Sequence, residues 1–397
     1  MAESRAGWTV VAVGCVALAL SFAYRNLLQL TMTGMEGELA WSRSMLSSGA
    51  TVALIAMAAG NLFGGMLVDR YGPRNLVAVG LACLGIGMLG TGLSAARWQY
   101  VLAYGAFAGA GFGLASQSVV AAAIARFFVE RRGLALGISA AGGPAGQMTL
   151  IPLAALLLAG FGWRGLFIVS GIAALVFAPI AYRALRVADR PAQSGPRPGM
   201  GADFGYLLKS PVFHLLFWGF FLCGFTTIGV IETHFVPYAT LCGFSPVTSA
   251  NAFGFLSVLN LAGILLAGWL ADRMDRILLL AGIYLLRALT FIMLLAITDN
   301  TAMLFAFSGL YGLFDYATAP VTASLVASHL GLRVMGFAMG LIAMAHQLGA
   351  AAGAIGGGVL FDATRSYNGL WILSLALAVV AAVLSIFIRR QPAPAAA

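Results

Sequence analysis

Apolar residues run through this chain in blocks of about twenty or more, and short clusters of Gly, Pro, Asp and Arg separate the blocks. A hydrocarbon layer about 30 Å thick needs about 20 residues of helix at ~1.5 Å each. The pattern predicts twelve such helices, over residues 8–33, 46–68, 75–95, 98–125, 134–160, 163–185, 211–238, 247–270, 278–297, 301–327, 334–360 and 367–388. The first block has no small-residue cleavage site and eleven more follow it, so it reads as a retained helix rather than a removed signal.

Composition agrees with a bilayer as solvent. Of 397 residues, 61% are hydrophobic and 9% charged, against about 25% charged in soluble domains. The net charge of +9 does not mark a nucleic-acid binder, because the arginines punctuate apolar runs instead of forming a basic module. Cys15, Cys83, Cys223 and Cys242 form neither a C-x-x-C pair nor a disulfide framework, and read as small apolar residues of helices. No Walker lysine motif, H-E-x-x-H or nucleophile elbow is present, so an enzyme is not expected, and neither a cofactor nor a metal.

Lysines and arginines are retained on the cytoplasmic side of short loops. Sixteen of the 22 basic residues fall on the side of the termini, among them Arg5, Arg126, Arg131, Arg183, Lys209 and Arg276. The opposite side has Arg43, Arg97, Arg164 and Arg365, which leaves Arg25 and Arg287 within helices. The expectation is a multi-pass inner-membrane protein, monomeric, with both termini cytoplasmic. Residues 186–210, with Pro191, Pro196 and Pro198, read as a cytoplasmic linker between a six-helix bundle at 1–185 and a second at 211–390, and 391–397 as a disordered tail.

The two halves repeat at an offset of 203 residues: Gly65, Leu67, Asp69 and Arg70 align with Gly268, Leu270, Asp272 and Arg273, and Gly133 and Gly137 with Gly336 and Gly340. A duplicated six-helix unit is the architecture in which two halves rock around a midplane site. Transport is therefore the expected activity, driven by an ion or substrate gradient.

The loop Gly65-Met-Leu-Val-Asp69-Arg70-Tyr-Gly72-Pro-Arg74 closely resembles the cytoplasmic signature of the major facilitator superfamily, G-x-L-x-D-R-x-G-x-R/K. Its second copy, Gly268 to Arg276, has Asp275 at the second glycine. The resemblance implies an all-α fold of twelve transmembrane helices in two pseudo-symmetric bundles. It also implies a cytoplasmic gate at Gly65, Asp69, Arg70, Gly72, Arg74, Asp272 and Arg273. Further stretches are similar to bacterial monocarboxylate transporters and oxalate/formate antiporters: Gly7-Trp8, Trp41-Ser-Arg43, Arg126 to Gly137, Gly162-Trp163-Arg164, and His234-Phe-Val-Pro237-Tyr238 through Ser245. That branch implies a basic residue in the eighth helix near the substrate carboxylate. Here the comparable stretch, Ser257 to Ile264, has Asn260.

Charged side chains inside a membrane are functional candidates by default. In the resembled fold the first, fourth, seventh and tenth helices line the cavity. Arg25, in Tyr24-Arg25-Asn26 with Gln29 a turn further on, could hold a carboxylate bidentately or pair with Glu232 of the seventh helix. Glu232 and His234 suit either a proton carrier or an outer gate. Asp315 is either protonated for part of a cycle or fixed by Arg287. His346 and Gln347 suggest a cavity wall, and Gln117, Gln147 and Tyr311 are further candidates for substrate contact. Gly142-Gly143-Pro144 partly resembles the proline-glycine signature of drug/proton antiporters, although tight helix packing explains the same residues. The expected function is proton-coupled transport of a small organic anion, a monocarboxylate, by alternating access. The alternatives are proton-driven efflux of an amphiphile and organic anion exchange.

Overall fold

A computed structural model describes residues 5–125, 132–188, 200–298, 300–331 and 334–388. Among these there is no strand. Among the described residues nine helices are long and apolar enough to cross a membrane, and one of them, Ala135–Ala184, folds back at Gly162 and counts as two. Two more crossings, the fourth and the tenth, are assembled from shorter pieces.

The twelve are α1 (Arg5–Arg25 with Leu27–Leu39), α2 (43–71) and α3 (73–92) from the folded helix Arg43–Gly92, and α4 (Arg97–Tyr100 to Gln117–Ala125). Then come α5 (132–161), α6 (163–184), α7 (Pro211–Gly224 through Glu232–Leu241), α8 (Pro246–Ala271) and α9 (Arg276–Ala296). The last are α10 (Thr301–Asp315 with Thr318–His329), α11 (Met335–Thr364) and α12 (Asn368–Phe387). The hydrophobic pattern located each within a few residues, except that α1 runs on to Leu39. A short helix, Met200–Lys209, precedes α7. Residues 189–199 of the linker and the residues after Ile388 lie outside the described residues.

The chain reverses at Gly72 (φ 78°) and Gly162 (φ 65°) with almost no loop. A side chain at a positive φ carries a steric penalty that glycine escapes, so these two residues permit the turns α2–α3 and α5–α6. Small residues also set helix spacing: a Cβ on Gly142 or Gly146 would fall 2.3 or 2.4 Å from the carbonyl oxygens of Cys15 and Ala19 in α1. Close backbone approach, a driving contact between helices in lipid, thus accounts for Gly142 and Gly146.

The halves meet along α2 and α11 and along α5 and α8. Thr51 of α2 donates to the Ala351 carbonyl (3.2 Å), and Ser257 of α8 to Gln147 of α5 (3.4 Å). The part of α1 beyond Asn26 also packs on the last part of α7. Four helices are interrupted near mid-length: α1 at Asn26, α4 over Val101–Ala108 and again at Ala115, α7 over Phe225–Ile231, and α10 at Tyr316. In α4 and α7 the interruption is a run of turns widened to i→i+5. Such irregular backbone is tolerated at membrane depth where protein buries it or a cavity faces it.

Candidate functional site

All four of those interrupted helices meet around an ion pair at the centre. Arg25 is the last residue before the break in α1, and its carbonyl, freed by the break, accepts from the Tyr104 hydroxyl of α4 (2.8 Å). Its guanidinium donates through Nη2 (2.6 Å) and Nε (3.1 Å) to one carboxylate oxygen of Glu232, the residue that ends the widened stretch of α7. The second oxygen of Glu232 accepts from the Tyr316 hydroxyl (2.5 Å), which in turn accepts from Arg25 Nη2 (3.2 Å). The Phe22 ring lies 4.9 Å from the guanidinium. The Arg25 and Glu232 side chains are only 8% and 5% exposed, so each charge depends on the other for compensation.

Beside the pair is a cavity of about 20 Å³, enough for about one water. Arg25, Glu232, Thr233 and Tyr104 give it polar atoms, and Leu28, Ala50, Ala53, Leu54, Phe112 and Ile228 complete an apolar wall.

A second buried cluster lies one helix away. Arg287 of α9, fully buried, does not pair with the Asp315 carboxylate as the sequence suggested; it donates to the main-chain carbonyls of Phe314 (2.5 Å) and Asp315 and to Cys223 Sγ (3.0 Å). The break in α10 leaves those carbonyls without helical partners, and five N–H groups in a fork serve them better than they serve one carboxylate. Asn260 takes the Asp315 carboxylate instead (3.1 Å) and accepts from the Tyr316 amide (3.2 Å).

A third cluster joins the halves at the end of the bundle away from the termini. Arg43, at the start of α2, bonds Glu36 (3.0 and 3.2 Å) and the hydroxyl of Tyr367, just before α12 (2.7 Å), with its guanidinium 3.7 Å from the Phe361 ring centre. Asp362 of α11 accepts from the amides of Arg43 (3.1 Å) and Ser44 (2.9 Å), so one half caps the first turn of a helix in the other. His234 belongs here and not with Glu232: its ring nitrogens meet the Tyr367 hydroxyl (3.2 Å) and the Ala354 carbonyl (2.9 Å). Residues two apart on a helix face away from each other, and the sequence reading that grouped the two missed this.

The other candidates scatter. Tyr24 turns to Ser170 of α6. Asn26 and Gln29 bond each other (2.8 Å) at the α1 break. Gln117 is half-buried where α4 resumes. Tyr311 donates to the Thr226 carbonyl (3.0 Å), tying α10 to α7. His346 is 3.4 Å from Thr227 and its ring lies tilted against that of Phe220 (5.1 Å between centres), with Gln347 buried beside it.

Of the signature residues, the side chains of Gly65, Asp69 and Arg70 lie outside the described residues. Gly72 makes the α2–α3 reversal. Arg74 donates to the Tyr182 carbonyl (2.9 Å) over that residue's ring, within its own half. Asp272 is exposed where α8 ends, and Arg273 donates to the Trp269 carbonyl of its own helix (3.2 Å).

Tyr316, Tyr104, Arg43 and Asp362 were not singled out as site residues from the sequence. Tyr316 directly after an intramembrane Asp315 was the available signal.

Comparison with known proteins fits this architecture. Residues 14–298 and 252–397 match the sequence profile of the Major Facilitator Superfamily. The chain is 28% identical over 379 residues to the uncharacterized MFS-type transporter YcxA of Bacillus subtilis, covering 93% of this chain and 91% of that one. It is 26% identical over 385 residues to monocarboxylate transporter 13 of Bos taurus, covering 93% and 86%. Among solved structures, a bacterial homolog of the human lysosomal transporter Spinster superposes with a TM-score of 0.79 at 15% identity, over 99% of this chain and 100% of that one. A D-xylose-proton symporter does so with 0.77 at 17%, over 95% and 97%. The chain belongs to the Major Facilitator Superfamily and is a multi-pass membrane transporter.

Proposed function

We propose that this transporter carries a small monocarboxylate together with a proton by alternating access, one chain enclosing one site, in an inner membrane with both termini cytoplasmic. The observation that carries the reading is the buried Arg25–Glu232 pair, which joins the two halves beside a small, largely apolar cavity. The arginine bias toward the side of the termini supports the orientation.

A guanidinium fork matches a carboxylate, and here Glu232 already occupies it. A substrate carboxylate arriving at an ionised Glu232 would put two anions on one cation in a low-dielectric site. Protonation of Glu232 removes that conflict and frees Arg25 to take the substrate. Release in the other orientation restores the pair and returns the proton. The walls of Leu28, Ala50, Ala53, Leu54, Phe112 and Ile228 suit a short apolar body. A sugar would leave hydroxyls unpaired against them. Because the cavity now has room for about one water, the halves must move apart to admit even a short acid.

The test is uptake of radiolabelled propionate, lactate and pyruvate into proteoliposomes under an imposed pH gradient. Accumulation that follows the gradient, disappears with Arg25→Ala, and persists only as gradient-independent exchange in Glu232→Gln supports the mechanism. No uptake of any monocarboxylate, or uptake indifferent to collapse of the gradient, overturns it.

A further inference from the structure

The break in α10 connects two sites that are otherwise separate. Where a helix stops, its last carbonyls and the next amides have no partner within the helix. Side chains from two neighbouring helices supply those partners here. Arg287 of α9 takes the carbonyls of Phe314 and Asp315. Asn260 of α8 uses both ends of its amide: Oδ1 accepts from the Tyr316 N–H (3.2 Å) and Nδ2 donates to the Asp315 carboxylate (3.1 Å). The side chain of the same Tyr316 reaches Glu232 (2.5 Å) and Arg25 (3.2 Å). One residue thus has its backbone fixed by Asn260 and its hydroxyl inside the ion pair.

We propose that Asn260 and Asp315 are positioning residues for the central site: together they fix the broken backbone of α10 so that the Tyr316 hydroxyl stays between Glu232 and Arg25. The inference rests on the reading of that pair as the transport site. Residue type supports it. A primary amide offers a donor and an acceptor in one fork, as the two different partners of Asn260 require, whereas an ionised carboxylate offers acceptors alone. Both Asn260 and Asp315 are within 2% of full burial, so water does not substitute for a lost bond. Hydrogen bonds weaken steeply once the distance passes about 3.2 Å, so a shift of about 1 Å at the break suffices to detach the hydroxyl. When Glu232 is protonated it no longer requires the Tyr316 proton, and that O–H becomes a second donor, beside Arg25, for an incoming carboxylate.

The test compares wild type, Asn260→Ala, Asn260→Asp, Tyr316→Phe, the Asn260→Ala/Tyr316→Phe double variant and the exchanged pair Asn260→Asp/Asp315→Asn. Each is reconstituted in nanodiscs for hydrogen exchange and in proteoliposomes for propionate uptake under a pH gradient. In Asn260→Ala the amides of 314–319 exchange at least tenfold faster while those of α12 are unchanged. Asn260→Ala and Tyr316→Phe each lower uptake about tenfold, and the double variant is no worse than either. Asn260→Asp sets two carboxyl groups face to face and, at a pH high enough to ionise both, behaves like the alanine variant. The exchanged pair, which restores one amide opposite one carboxylate, recovers both exchange protection and uptake. Additive losses near 100-fold in the double variant, or failure of the exchanged pair to recover protection, overturn the proposal. If wild type takes up no monocarboxylate, the transport reading fails, and the exchange data still decide on positioning: unchanged protection in Asn260→Ala overturns it.

Discussion

Arg25 and Arg287 are both buried in the membrane interior, yet they are held in opposite ways. Arg25 faces a carboxylate across the boundary between the halves, its guanidinium bonded to the side chains of Glu232 and Tyr316, whereas Arg287 is bound mainly to main-chain carbonyls within one half. A side-chain partner can be protonated or displaced by a ligand. A backbone carbonyl can be neither. The same residue type is therefore held by a partner that could be exchanged in one place and by one that could not in the other.

Substitution at Arg287 sharpens the contrast most. Arg287→Met leaves at least two buried carbonyls at the α10 break unpaired, at about 1–3 kcal/mol each. The expected result is a fall in thermal midpoint large enough to deplete the monodisperse peak of the solubilised protein, with no single second substitution restoring it. Arg25→Met alone strands Glu232 and costs about 3–5 kcal/mol, but Arg25→Met/Glu232→Met replaces a buried pair with apolar groups and returns to within about 1.5 kcal/mol of wild type. Thermal unfolding of the two singles and the double measures this directly; additive losses would erase the distinction drawn here.

At the end away from the termini, Asp362→Asn weakens the cap that one half places on α2, by about 1 kcal/mol. Hydrogen exchange at the amides of Arg43 and Ser44 should rise about fivefold, with the centre of the protein unaffected. The smallest effect belongs to Gln147→Ala, which removes one long bond to Ser257 and should shift stability by less than about 1 kcal/mol. A larger loss would reveal that the α5–α8 contact depends on this amide.

How much of this could be read from the chain depends on the kind of force. The twelve crossings follow from hydrophobic length alone, and the pairing of Arg25 with Glu232 was one of the alternatives that an arginine inside a membrane allowed. The clamp at Arg287 was not visible, because a broken helix exposes carbonyls that every residue possesses and no residue type announces. The Arg43–Asp362 junction was equally hidden: the two are 319 residues apart, and each reads as an ordinary charge near a loop. Tyr316 resembled the packing aromatics around it until the break in α10 turned its hydroxyl to Glu232.

The Arg25–Glu232 pair also bears on the energy available to the transporter. If a substrate anion replaces a Glu232 that has taken up a proton, the site holds the same net charge empty and loaded. Membrane voltage, worth about 2.3 kcal/mol per elementary charge at 100 mV, then does no work on the loading step. One proton per substrate at a tenfold proton ratio sustains at most about a tenfold substrate ratio, on the order of 1.4 kcal/mol. Such a carrier reads acidity and is blind to voltage: it fills a cell only as far as the pH difference allows and empties it when that difference reverses.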